Sequence, residues 1–167
     1  MTRFVTQLDD YSCGPVAILN AAKFYNFNFT IKKDLKRLKE KCHCEPKHGS
    51  YHKDIDLALR DELCNVQIDS YPYPLNVGFN EIKEHFKSNG TMLFSFGYKE
   101  KKKVFGHIIF VSKYRSKSFL VHNKEQSSSE WISFKTMKRL LSSHCIEEDG
   151  TEYPHIWLLN KKEKHDD

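Results

Sequence analysis

The chain has 167 residues, a net charge of +5 and 13% aromatic side chains. That length favours one domain, and that composition excludes a disordered chain. No apolar run approaches the ~20 residues that a membrane helix needs, and residues 1–10 lack the apolar stretch of a secretory signal, so a cytoplasmic protein without a membrane partner is expected.

The five cysteines are odd in number and read as thiols in a reducing compartment rather than as a disulfide framework. Lysines cluster at positions 32–41, 99–103 and 161–164. These segments carry no regularly interleaved aromatics, so nucleic-acid binding is not expected as the main function.

In chain order, residues 3–8 read as extended and lead into a polar turn at 9–12. A helix follows from Cys13, with Pro15 in its first turn, Val16, Leu19 and Phe24 on its apolar side, and Ala17 and Ala21 allowing close packing. Phe24, Phe27 and Phe29 read as core. A second helix begins after Thr30 with Ile31, Leu35 and Leu38 in one stripe. A third spans about residues 53–63 with Ile55, Ala58, Leu59 and Leu63 inward. A fourth carries Phe79, Ile82 and Phe86 and stops at Asn89 and Gly90.

The period then changes. Residues 91–98, 107–112 and 118–122 read as strands, with a lysine-rich loop at 99–103 between the first two. A helix over 134–143 and a closing strand over 155–159 complete an α+β pattern, helices first and strands later. The domain is expected to span residues 1–160, with 161–167 a charged, disordered tail.

The strongest chemical signal is Gln7-Leu-Asp-Asp-Tyr-Ser-Cys13-Gly14-Pro15. A cysteine at a helix start meets unpaired N–H groups and the positive end of the dipole, which favour a thiolate. Gly14 would let a substrate backbone approach. Gln7 lies far enough upstream to fold back and join the Cys13 N–H as a second oxyanion donor, each worth ~3 kcal/mol in acyl transfer. A thiol nucleophile needs a base, and His107, after Gly106 at the start of an apolar strand, is the best placed of nine histidines. A hairpin over 107–122 brings Asn123 beside His107 to hold one tautomer, whereas His122 points to the other face.

Gln7, Cys13-Gly14-Pro15, His107 with its apolar run, and Asn123 together resemble the C39-like cysteine peptidases of the papain-like superfamily. Gly49-Ser-Tyr before a helix, Met92-Leu-Phe-Ser, and Trp131 leading into the 134–143 helix extend the resemblance over about residues 4–160. It implies a papain-like fold with N-terminal helices packed on a C-terminal antiparallel sheet. It also implies Cys13 as nucleophile, His107 as base and acid, Asn123 as orienting residue and Gln7 as oxyanion donor. The implied partner is a protein or peptide substrate, cut after Gly-Gly in familiar members, and no cofactor is implied. This chain departs from those members by Asn123-Lys124 in place of an Asp-Pro pair and by carrying no transporter. A thiol-dependent acyltransferase or deamidase, or a non-catalytic protein-binding module, are the alternatives.

Cys42, Cys44, His48 and His52 are competent zinc ligands, but their spacing departs from the usual two-residue cysteine knuckle. They are expected to be solvent-facing or loosely packed rather than a metal site. Cys64 is expected in the core, and Cys145 reads as structural.

Overall fold

The structure, a computed structural model, describes residues 3–125 and 129–162. Helix α1 (Cys13–Phe24) is enclosed nearly all round, its residues from Gly14 to Ala22 being buried. Asn20, fully buried in the middle of this helix, accepts from the Val5 N–H at 2.7 Å and donates to the Val5 carbonyl at 3.0 Å. The extended N-terminal segment is thereby strapped along α1 as a strand would be, with both backbone groups of Val5 satisfied. Helices α2 (Ile31–Lys41) and α3 (His52–Glu62) pack beside α1 through Leu38 and through Ile55, Ala58 and Leu59. Arg37 and Lys41 on α2 both pair with Glu62 on α3 and lock the two together.

The strands are β1 (Val66–Tyr71), β2 (Thr91–Glu100), β3 (Lys103–Arg115), β4 (Ser118–His122), β5 (Glu130–Ser133) and β8 (His155–Lys161). They form one antiparallel sheet in the order β1-β8-β2-β3-β4-β5. The short strands β6 (Cys145–Ile146) and β7 (Glu152–Tyr153) form a separate hairpin. Side chains alternate across the sheet: Leu93, Ile108, Phe110, Trp157 and Leu159 face α1–α3, while Met92, Phe94, Ile109, Val111 and Leu158 face the other way. That second face is covered by α4 (Phe79–Lys87), through Ile82 and Phe86, and by α5 (Phe134–Ser142), through Met137. Ser133 caps α5, its Oγ accepting from the Thr136 N–H at 3.1 Å.

The architecture is α+β, as the sequence pattern requires, with helices on both faces of the sheet rather than on one. Strand β1 had no counterpart among the sequence expectations; it is a half-buried edge whose alternating Val66 and Ile68 seal the rim. The lysine-rich loop is shorter than expected, because β2 and β3 run on to Glu100 and Lys103 and leave only Lys101 and Lys102 in the turn. His107 therefore sits within a strand, not at its start. Trp131 lies in β5, which leads directly into α5 as expected. Cys64 is exposed, because Leu63 takes the core position at the end of α3. Phe24 is 37% exposed, and Phe27 and Phe29 only rim the core. Lys161 ends β8 opposite Val66, and Lys162 bonds Asn65 and Cys64 carbonyls, so these two belong to the sheet edge and not to a tail. Residues 163–167 of the expected tail lie outside the described residues. Among the described residues no helix is long and apolar enough to cross a membrane.

Candidate active site

Strand β4 pairs with β3 only from Phe110 onward, where it meets His122. Before that point β3 keeps β2 on one side and has no strand on the other. Into this gap come the start of α1, the N-terminal segment and the residue that follows β4.

The turn before α1 is set by Asp9, whose Oδ1 accepts from the main-chain N–H of Tyr11 at 3.0 Å and of Ser12 at 2.8 Å. Its Oδ2 accepts from Lys39 at 2.6 Å, and the Lys39 ammonium lies 4.8 Å from the centre of the Tyr11 ring. Burial works to raise the Asp9 carboxyl, but Lys39 and the turn N–H groups outweigh it and bring the value down to about 2. The turn thus delivers Cys13 to β3, beside Ile108, the residue after His107, whose N–H lies close enough to favour a thiolate there. Gly14 is buried, and a Cβ there would stand 2.4 Å from Cδ1 of Ile55. Its lack of a side chain lets α1 pack closely on α3.

His107 donates from Nε2 to the main-chain carbonyl of Asn123 at 2.6 Å. A carbonyl only accepts, so the proton resides on Nε2 and Nδ1 is left bare to act as a base. The Asn123 side chain does something else: its Nδ2 donates to Gln7 Oε1 at 2.7 Å, and its Oδ1 accepts from the Gln7 N–H at 3.0 Å. Asn123 holds φ 66, a left-handed conformation that Asn tolerates better than most residues, and in it the carbonyl meets His107 while the amide meets Gln7. The orienting contact expected from the Asn123 side chain is therefore made by its main chain. Gln7 Nε2 spends one hydrogen on the Asp9 carbonyl at 2.7 Å, which leaves its second hydrogen for a ligand.

Gln7, Asn123 and His107 form one hydrogen-bonded chain, and Cys13 joins the same edge of β3 through Ile108. Among the described residues no hydrogen bond links the Cys13 sulfur to the imidazole. Burial pushes the Cys13 thiol up to about 11, overriding the N–H groups of Ile108, Gly14 and Cys13. Burial also lowers the His107 imidazole, against the pull of the Asn123 carbonyl. Both shifts favour the uncharged thiol and the uncharged imidazole, against the expectation that the helix terminus lowers the thiol: burial works against the amides.

A second group of residues borders the site. Gly97 and Gly106 face each other across β2 and β3. On the flat patch they leave lies Tyr153 of β7, so close that a Cβ at Gly106 would stand 1.9 Å from its hydroxyl. Tyr153 in turn donates to Glu147 in the β6–β7 hairpin. Burial, the bond to Glu147, and the charges of Glu147 and Cys13 all push the Tyr153 hydroxyl up. The sequence does signal this cover faintly, since a glycine inside a strand pattern marks a close backbone approach.

The four zinc-competent residues go separate ways. Cys42 is fully buried in the core, contrary to the expected loose packing. Cys44 bonds the Tyr11 carbonyl at 3.3 Å, His48 stacks on Tyr51, and His52 bonds Ser95 at 2.8 Å. Among the described residues no group of three or more His, Cys, Asp or Glu is arranged to hold a metal ion.

No protein-family model and no curated protein matches the sequence. Among solved structures, the fold is similar to the peptidase domain of Streptococcus ComA, a bifunctional ABC transporter involved in a quorum-sensing pathway. The two superpose with a TM-score of 0.60 over 97% of this chain and 100% of that one, at 16% identity. The likeness spans nearly the whole of both chains, so this chain shares the mixed α+β fold of that peptidase domain.

Proposed function

We propose that the chain is a cysteine peptidase with Cys13 as nucleophile, His107 as base and acid, and Gln7 with the Cys13 N–H as the oxyanion site. The observation that carries this reading is the hydrogen-bonded chain from Gln7 through Asn123 to His107, meeting Cys13 at the open edge of β3. Nδ1 of His107 takes the thiol proton as the sulfur adds to the substrate carbonyl. The imidazolium then protonates the leaving amine, and a thioester remains on Cys13. Water, deprotonated by the same Nδ1, releases the acid and restores the thiol. Asn123 serves as a positioning residue, with its carbonyl fixing the tautomer and its amide fixing Gln7. Small residues such as Gly before the cut follow from the likeness to C39 peptidases alone.

The test is cleavage of a peptide library by wild-type protein. Cys13→Ala and His107→Ala are each expected to abolish it while leaving the circular dichroism spectrum intact. Full turnover by folded Cys13→Ala ends this reading. The raised thiol favours one rival, a binding module that keeps the fold. Iodoacetamide at neutral pH separates the two: a peptidase alkylates at Cys13 at a rate that His107→Ala lowers, whereas a binding module shows no dependence on His107.

A further inference from the structure

The part of β2 after Ser95 has no β8 residue beside it, and the part of β3 before Phe110 has no β4 residue beside it. From Phe96 to His107 the two strands therefore leave the sheet as a ribbon whose outer edges no other strand of the sheet pairs. One face of the ribbon is covered, since Tyr153 and Cys145 pack on Gly97 and Gly106. The other face carries Phe96 and Tyr98 from β2 and Phe105 and His107 from β3, directly paired as Phe96 with His107 and Tyr98 with Phe105. The rings make a ladder, with centroids 5.7 Å apart for Phe96 and His107 and 5.8 Å for the stacked Tyr98 and Phe105. Tyr98 and Phe105 are 45% and 40% exposed. At the tip stand Lys99, Lys101, Lys102 and Lys103 around a single acidic residue, Glu100. Among the described residues none of these four lysines is in an ion pair.

An exposed aromatic pair is a poor end to a ribbon unless something covers it; Glu100, Asp10 and Glu147 act on Tyr98, so apolar groups suit the pair, and the four unpaired ammonium groups set the sign only of what meets the tip. The ladder is continuous with the candidate base, so a chain lying on it runs directly into the reacting position. We propose that this ribbon is the docking arm for the substrate polypeptide, taking an extended segment with apolar side chains against Tyr98 and Phe105 and acidic side chains among the tip lysines. This rests on the peptidase reading and names its substrate class: a polypeptide with an acidic, apolar stretch beside the scissile bond. Lys103 lies four positions before His107, or ~13 Å along a strand. The acidic residues consequently fall about four to six positions from the bond cleaved.

The test uses the full chain carrying Cys13→Ala and three fluorescein-labelled peptides of roughly 12 residues, long enough to span the ribbon. One combines Asp and Glu with Leu and Phe, one replaces the acids by Lys, and one replaces the apolar residues by Ser. Fluorescence anisotropy is expected to show the first bound about tenfold or more tighter than either other. That preference falls at least about fivefold in Tyr98→Ser/Phe105→Ser and in Lys101→Glu/Lys102→Glu, and the lysine contribution weakens with salt. Equal binding of the three peptides, or unchanged binding in both variants, overturns the proposal. So does tighter binding of a labelled single-stranded oligonucleotide, or a concentration-dependent dimer lost on Phe105→Ser, which give the surface to nucleic acid or to a second copy. Selective binding without any cleavage by the wild type retains the arm and removes the peptidase. Cleavage of short peptides without selective binding does the reverse.

Discussion

At the scale of single residues, burial favours the uncharged form of both Cys13 and His107 in the candidate site. Cys13 sits where a helix terminus offers it amides, yet the cost of an anion away from water is larger, so the thiol stays protonated until a base takes its proton. The competent form needs a bare Nδ1 on His107, and burial depresses that imidazole below its ordinary value of 6.5. The acid limb of kcat/KM is therefore expected below pH 6.5, and a midpoint above that value would mean that the imidazole is hydrated or paired with an anion rather than buried and neutral. Asn123→Ala separates the two jobs of that residue. It leaves Gln7 with a buried N–H and amide oxygen unpaired, an expected loss of about 2–4 kcal/mol by chemical unfolding. The main-chain carbonyl remains, so kcat is expected to fall through Gln7 while the acid limb keeps its position. A displaced acid limb would instead show that the side chain orients the imidazole. Gln7, Cys13 and His107 were legible as candidates because their chemistry is rare at such positions. The division of labour within Asn123 was not, since a residue letter does not say which of its atoms will face a neighbour.

At the scale of elements, the β6–β7 hairpin is held over the site by the paired glycines. A Cβ on Gly106 meets the Tyr153 hydroxyl, and that hydroxyl is tied to Glu147, so the hairpin has to lift or the strand has to bend. Gly106→Ala is expected to destabilise the protein by about 1–3 kcal/mol. Adding Tyr153→Ala is expected to recover part of that loss in a urea double-mutant cycle. Additive losses would mean that the two residues do not meet. The long amphipathic helices were readable from their period, because a stripe of apolar residues needs only one neighbour of any kind. Strand β1 and the hairpin were not, because two to six residues carry too little pattern and take their structure from β8 and from the glycine patch.

At the scale of the whole molecule, four histidines, His52, His85, His107 and His155, are held below their ordinary value, each chiefly by burial. His52 falls to about 3 and His155 to about 4; their rings are 4.7 Å apart, and they bond Ser95 and Ser70. Above pH 6.5 these groups are neutral in both folded and unfolded chains and contribute no pH dependence. As pH falls below 6.5 the unfolded chain takes up protons that the folded one refuses, so stability drops at up to ~1.4 kcal/mol per pH unit for each histidine. The drop continues to about pH 4, and below 3.8 loss of the Asp9 carboxylate adds to it in the same direction. Thermal unfolding is expected to show Tm falling steadily over that range, less steeply in His155→Gln. A flat Tm would mean that these histidines are hydrated.

The sequence by itself determined the α+β class, the helix that presents Cys13 and the strand that presents His107. Those features depend on period, on turn chemistry and on residue types, all of which act within a few positions. Only the tertiary structure decided that β4 stops at His122 and so opens the edge of β3, that Asn123 faces His107 with a carbonyl and Gln7 with an amide, and that burial works against a thiolate at Cys13. Each of these turns on where one segment ends against another and on how much water is left between them, quantities that exist only once distant parts of the chain have packed.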